Sequence, residues 1–200
     1  PLVDLEVAAD QPVAMVAVRL SDVAADDKAT RVTYGLLNLT HRNGSEDPEP
    51  LEPGRVYRVQ VKLNDVAQSF PAGHRLRLSI STSYWPLAWP PPQAVRLTIT
   101  AGASFLRLPV RARRDAEDAR IRFQPPEGAP APAQRQLAPQ HHNWRVIRDL
   151  AADESVLEVI NDHGTVYLEE PDLEVQRKAL EWYRYQNHDF SSPHGETLWE

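Results

Sequence analysis

Apolar and polar positions alternate with a period of two through most of the first 110 residues. In residues 56–64, Tyr57, Val59, Val61 and Leu63 share one face, while Arg58, Gln60, Lys62 and Asn64 share the other. Leu76, Leu78 and Ile80 alternate in the same way with Arg75, Arg77, Ser79 and Ser81. Val95, Leu97 and Ile99 repeat the pattern, as do Leu106, Leu108 and Val110. Alternation of this kind predicts half-buried β-strands with the apolar face inward. Residues 13–20 are almost continuously apolar, which predicts a strand covered on both sides. In residues 31–40 the phase slips from Val32, Tyr34 and Leu36 to Leu37 and Leu39, as a bulge or a bend between sheets would make it.

Turn signals fall between these runs: Asp10-Gln11-Pro12, Asp26-Asp27, Asn43-Gly44, Pro53-Gly54 and Pro71-Ala72-Gly73. Short strands with one polar face each predict two antiparallel sheets packed face to face, an all-β sandwich or jelly roll over residues 1–111. No long helix is called for there.

Residues 112–140 change character. After Arg111-Ala112-Arg113-Arg114 come Pro125, Pro126, Pro130, Pro132 and Pro139 with several Ala and Gln, a composition that buries little and favours extended conformers. This stretch is expected to be a proline-rich surface linker. Strand patterning returns over residues 141–200, expected to be a β-rich extension that packs on or completes the sandwich. Residues 156–160 and 165–168 flank Asn161-Asp162-His163-Gly164, which reads as a hairpin turn. Residues 172–186 mix helix formers with Trp182, Tyr183 and Tyr185, and the aromatics favour strand.

Charge and composition narrow the classes of partner. A net charge of −6 argues against a nucleic-acid surface or an anionic membrane. No apolar run approaches the ~20 residues a membrane-spanning helix needs, and no signal peptide is visible. The absence of cysteine removes disulfides, thiolate catalysis and Cys-ligated zinc, and fits a cytoplasmic, bacterial setting. The chain opens in a strand pattern at Leu2, Val3, Leu5 and Val7 and closes on Leu198-Trp199-Glu200, as a piece excised from a longer protein would.

Catalytic chemistry is hard to find. No Gly-x-Ser-x-Gly elbow is present, and Ser79, Ser81 and Ser83 read as outward-facing strand serines. The adjacent His141-His142 pair and the His188, Asp189, His194 group match no zinc spacing. Asp22, Asp26 and Asp27 read as turn residues more readily than as a calcium loop. Eight glycines form no phosphate loop, and no metal or cofactor is called for. What stands out is Tyr84-Trp85-Pro86-Leu87-Ala88-Trp89-Pro90-Pro91-Pro92, a proline-stiffened aromatic loop that follows a strand. Its rings either close the open end of the sandwich or line a pocket for an apolar, aromatic or sugar ligand.

Five ordered segments carry a family likeness. They are Val16-Ala17-Val18-Arg19-Leu20-Ser21-Asp22-Val23, Thr33-Tyr34-Gly35-Leu36-Leu37-Asn38-Leu39-Thr40-His41-Arg42, Pro48-Glu49-Pro50-Leu51-Glu52-Pro53-Gly54, Val61-Lys62-Leu63-Asn64-Asp65 and Phe70-Pro71-Ala72-Gly73-His74-Arg75-Leu76-Arg77-Leu78. Over about residues 1–110 the chain resembles the C-terminal domain of X-Pro dipeptidyl-peptidase-like serine hydrolases, the cocaine esterase/NonD family. Glu181, Tyr183 and Asp189-Phe190-Ser191-Ser192 resemble the extension of a bacterial subgroup.

The resemblance implies a jelly-roll β-sandwich, galactose-binding-domain-like, appended to an α/β-hydrolase domain. The Ser-Asp-His triad would lie on that preceding domain, so no catalytic residue carries over and the fragment alone is expected to be inert. The loop after the Gly-His-Arg-Leu-Arg-Leu strand approaches the active-site cleft in such enzymes, which makes Tyr84, Trp85, Pro86 and Trp89 the substrate-pocket candidates, with Ser83 beside them. Where the commoner loop carries an Asn-Phe-Pro-Arg-Phe-like sequence, this chain keeps the aromatic-proline character and lacks the arginine. The expected partners are the hydrolase domain of the same chain and, through it, a small acyl or peptidyl substrate, with a homodimer also open. A carbohydrate-binding module and a scaffold or dimerisation domain are the competing readings.

Overall fold

A computed structural model describes residues 1–112, 114–187 and 189–200. The chain divides into two compact units, Pro1–Val110 and Arg111–Glu200.

The first unit is a two-sheet sandwich. Strands β1 (Leu2–Ala9), β4 (Val56–Lys62), β6 (Leu97–Ile99) and β7 (Phe105–Arg107) form one sheet. In it β1 is central: β4 pairs along one edge, while β6 and β7 pair end to end along the other. Strands β2 (Met15–Val23), β3 (Ala29–Asn38) and β5 (Arg75–Ser81) form the second, with β2 between β3 and β5. All of these pairings are antiparallel.

Alternation decides what faces inward. Val3, Leu5, Val7 and Ala9 of β1, with Val59, Val61 and Leu63, meet Val16, Val18 and Leu20 of β2 in one core. Leu37, Leu78, Ile80, Leu97, Ile99 and Leu106 pack around it. Burying each such side chain contributes roughly 1.5–3 kcal/mol, and this supplies most of what holds the sheets together. Two alternations end in solvent. Leu76 is 49% exposed at the start of β5, and Val110 is 87% exposed at the close of the unit.

The phase slip in β3 is resolved as a bulge placed earlier than the pattern suggested. Leu20 pairs with Thr33 but Ser21 pairs with Arg31, so Val32 is the extra residue. Past the bulge Thr33, Gly35 and Leu37 face the core, not Val32, Tyr34 and Leu36. The strand stops at Asn38, whose side chain accepts from the Thr40 amide and opens a 3₁₀ turn, Leu39–His41. Leu39 and Thr40 are buried in that turn instead of extending the strand.

The second unit is a five-stranded antiparallel sheet: β8 (Gln134–Ala138), β9 (His141–Asp149), β10 (Glu154–Leu168), β11 (Leu173–Gln186) and β12 (His194–Trp199). Residues 119–133 are exposed and irregular, after a single helical turn α1 (Asp115–Asp118). Residues 173–186 are indeed strand. The expected hairpin at 161–164 is not one: β10 runs straight through it. Asp162 and Thr165 of β10 face Lys178 and Gln176 of β11, which leaves two residues opposite one, a β-bulge. Asp162 Oδ1 accepts from the Gly164 amide at 2.8 Å, and Gly164 takes φ +67. The bulge sits where the strand alongside β10 changes from β9 to β8, and Pro139 lies in that break. Asn, Asp and Gly side by side build both hairpin turns and bulges, so composition alone favoured the commoner outcome.

Candidate functional site

The loop that follows β5 folds back so that Tyr84 lies against the outer face of the β3–β2–β5 sheet. Register fixes what that face presents. One cross-strand row is Leu36, Ala17 and Ser81; the next is Tyr34, Arg19 and Ser79; the third is Arg31, Ser21 and Arg77. Tyr84 lies against the middle row. Its ring meets Tyr34 edge-on at 5.4 Å between centroids, and the Arg19 guanidinium lies 5.4 Å from its centroid. Arg31 stacks on Tyr34 at 5.2 Å and donates from Nη1 to the Tyr84 hydroxyl at 2.5 Å. A ring pair of this geometry contributes about 0.5–1.5 kcal/mol beyond its buried area. The root of the loop is therefore pinned to the sheet.

The loop tip is held by its own rings. Trp85 and Trp89 meet at 4.7 Å with 69° between their planes, the Ala88 amide donates to the Tyr84 carbonyl, and the Trp85–Pro86 bond is cis. Pro91, further along the loop, is buried. Trp89 nonetheless keeps 62% of its surface exposed and Leu87 55%, while Trp85 and Pro86 are half-buried. Thus Tyr84, Trp85, Pro86 and Trp89 lie in one loop tied by a ring contact and a backbone hydrogen bond, with Ser83 exposed at its start. Ser83 offers its carbonyl to the Ser81 hydroxyl, and among the described residues no histidine or carboxylate is hydrogen-bonded to its side chain. An open cleft of about 440 Å³ lies elsewhere in this unit, lined by Pro1, Leu2, Lys62, Arg107, Leu108 and Pro109. It includes no residue of the aromatic loop.

The remaining polar candidates have ordinary engagements. Asp22 pairs with His74 Nδ1 at 2.8 Å, Asp26 accepts from the Lys28 amide, and Asp27 pairs with Arg75. His142 meets His163 edge-on at 5.3 Å. His194 Nδ1 lies 3.0 Å from the Ser192 carbonyl, Asp189 accepts from Ser191, and His188 lies outside the described residues. Among the described residues no three His, Cys, Asp or Glu side chains group as metal ligands would. Among them, too, no helix is long and apolar enough to cross a membrane.

Sequence reasoning passed over Arg19, Arg31, Tyr34 and Arg77. The strand phases held part of the signal: with Leu20, Thr33 and Leu78 inward, Arg19, Tyr34 and Arg77 project from the opposite face, whereas Arg31 reaches that face only through the bulge at Val32.

Residues 1–143 match the family described as the X-Pro dipeptidyl-peptidase C-terminal non-catalytic domain. The chain belongs to that family. It is also 28% identical over 68 residues to the cocaine esterase of Rhodococcus sp. (strain MB1 Bresler). That likeness covers 34% of this chain and only 12% of the esterase. The family match runs through the whole sandwich, including the aromatic loop, and on into β9.

Proposed function

We propose that this chain is the accessory domain of a serine hydrolase acting on esters or amides. It packs on an α/β-hydrolase domain of the same protein, and residues 84–92 form part of that domain's acyl pocket. The triad and oxyanion hole belong to the hydrolase domain. The loop contributes shape and exclusion of water, not proton transfer. The observation that carries this reading is Trp89, a large ring left 62% exposed on a loop whose root is pinned by Tyr84. An aromatic held rigidly in solvent is poised to bury itself against another surface at little ordering cost.

The 69° angle between Trp85 and Trp89 offers no flat double platform on which successive sugar rings would stack, so the carbohydrate-module reading is less well supported. A chain without cysteine suits a cytoplasmic enzyme. The test is replacement of Trp85 and Trp89 by alanine in the full-length protein, with kcat/KM measured across ester and amide substrates. Unchanged values for every accepted substrate would remove the pocket role and leave packing alone.

A further inference from the structure

We infer that the outer face of the β3–β2–β5 sheet, beside the root of the aromatic loop, is a binding site for the carboxylate of a small apolar acid. The binding stands on this unit alone; only its consequence for substrate choice rests on the accessory role proposed above.

The charge pattern is the first reason. Arg42, Arg55, Arg58, Arg75 and Arg107 of the same unit each hold a carboxylate: Glu49, Glu52, Glu6, Asp27 and Asp4 respectively. Arg19 and Arg31 do not. Among the described residues their partners are the Tyr84 and Tyr34 rings and the Tyr84 hydroxyl. Arg77 shares the face across Ser21 from Arg31, and no acidic side chain stands in these three rows. The nearest aspartates along the strands are already taken, Asp22 by His74 and Asp27 by Arg75. Three arginines thus share one sheet face of a chain whose net charge is −6.

The second reason is an unmet donor. Arg19 Nε is buried and has no acceptor among the described residues. A buried charged donor without an acceptor is costly, and a ligand oxygen would relieve that cost. Tyr84 and Tyr34 hold Arg19 and Arg31 in place, so little side-chain entropy is lost when an anion arrives.

The chemistry of the donors selects the anion. Strand amides lie in the plane of the sheet and do not project from its face, and the described helical turns of this unit are three residues long. Only side-chain forks are on offer, and a guanidinium fork matches a planar carboxylate in a two-bond contact. The half-buried Trp85 and the exposed Trp89, which follow Tyr84 in the chain, supply an apolar neighbour. In the whole enzyme such a site would favour acyl groups that carry a carboxylate remote from the bond being broken.

The probe is phenylacetate, titrated calorimetrically into the 200-residue chain at low ionic strength, where a half-exposed ion pair is least screened. Saturable binding with a Kd on the order of 1 mM is expected, with neutral phenylacetamide at least tenfold weaker. Arg31→Gln, at an exposed position, and Arg19→Gln should each weaken phenylacetate at least fivefold and leave phenylacetamide unchanged. No saturable binding, equal affinity for acid and amide, or indifference to both substitutions would overturn the proposal. Tighter binding of inorganic phosphate than of phenylacetate would overturn the carboxylate assignment. The two readings fail separately. Carboxylate binding together with tryptophan variants of normal kcat/KM keeps this site and removes the pocket role; the opposite pair of results does the reverse.

Discussion

Gly35 of β3 faces the Lys62 carbonyl at the end of β4 so closely that a Cβ on Gly35 would lie 2.2 Å from that oxygen. The two sheets of the sandwich therefore meet backbone to backbone at this corner. Adjacent bonds clamp it: the Asn64 amide donates to the Tyr34 carbonyl at 2.9 Å, and the Thr33 hydroxyl donates to the Asn64 carbonyl at 2.7 Å. Gly35→Ala must push β3 from β4 or break these bonds. A loss of about 2–4 kcal/mol in urea denaturation is expected, at the upper end for overpacking because the obstacle is backbone. A loss below about 1 kcal/mol would show that the sheets part there easily.

A second glycine makes the same argument in the other unit. At φ +67 Gly164 already occupies backbone space that L side chains avoid, and its Cβ would lie 2.3 Å from the Ala138 carbonyl. Gly164→Ala should detach β8 from β10, seen as faster amide exchange in residues 134–138 with slower loss in β11. Asp162→Ala, which removes the acceptor for the Gly164 amide, should cost less, about 0.5–1.5 kcal/mol.

These two glycines mark where sequence reading succeeds and where it stops. Val59, Val61, Leu78 and Ile80 declared their inward face because burial on one side imposes a period of two, and the structure places them so. The two-sheet sandwich follows from repeating that inference. Long-range pairing is invisible to the same pattern. Nothing local tells that Gly164 sits under Ala138, so Asn161-Asp162-His163-Gly164 read as a turn. The aromatic loop was conspicuous because Tyr, Trp and Pro cluster within it. Arg19 and Arg31 were not, since arginine on the polar phase of a strand looks like solvent-facing charge until the fold brings Tyr84 onto it.

Glu158 gives the extension a pH dependence of known sign. Arg145 Nε lies 2.6 Å from its carboxylate and Trp182 Nε1 donates to it at 3.0 Å, and these two contacts hold its pKa below the ordinary 4.5. A carboxyl depressed on folding contributes stability that is fully present above its unfolded value and is lost as pH falls through the folded value. Glu158→Gln removes the charge and leaves an oxygen for Trp182. The wild type should therefore exceed Glu158→Gln in urea stability near pH 7, and the gap should shrink below about pH 4.5, with tryptophan fluorescence as the readout. A gap that stayed constant down to pH 3 would remove the ion pair from the account.

Trp89→Ala separates packing from pocket. Its ring is 62% exposed and touches Trp85 on one side, so removing it from the folded chain should cost less than about 1 kcal/mol and leave the melting temperature nearly unchanged. If the loop closes an acyl pocket, the same substitution in the full-length enzyme removes an apolar wall from the transition state. Loss of such a contact is worth about 1–3 kcal/mol, or roughly 5- to 150-fold in kcat/KM. Bulky acyl groups should suffer more than acetyl, because only they reach the ring. A variant that melts normally and hydrolyses long and short acyl esters at the original ratio would place Trp89 outside the pocket. One that loses stability and activity together would make it a packing residue at a domain interface.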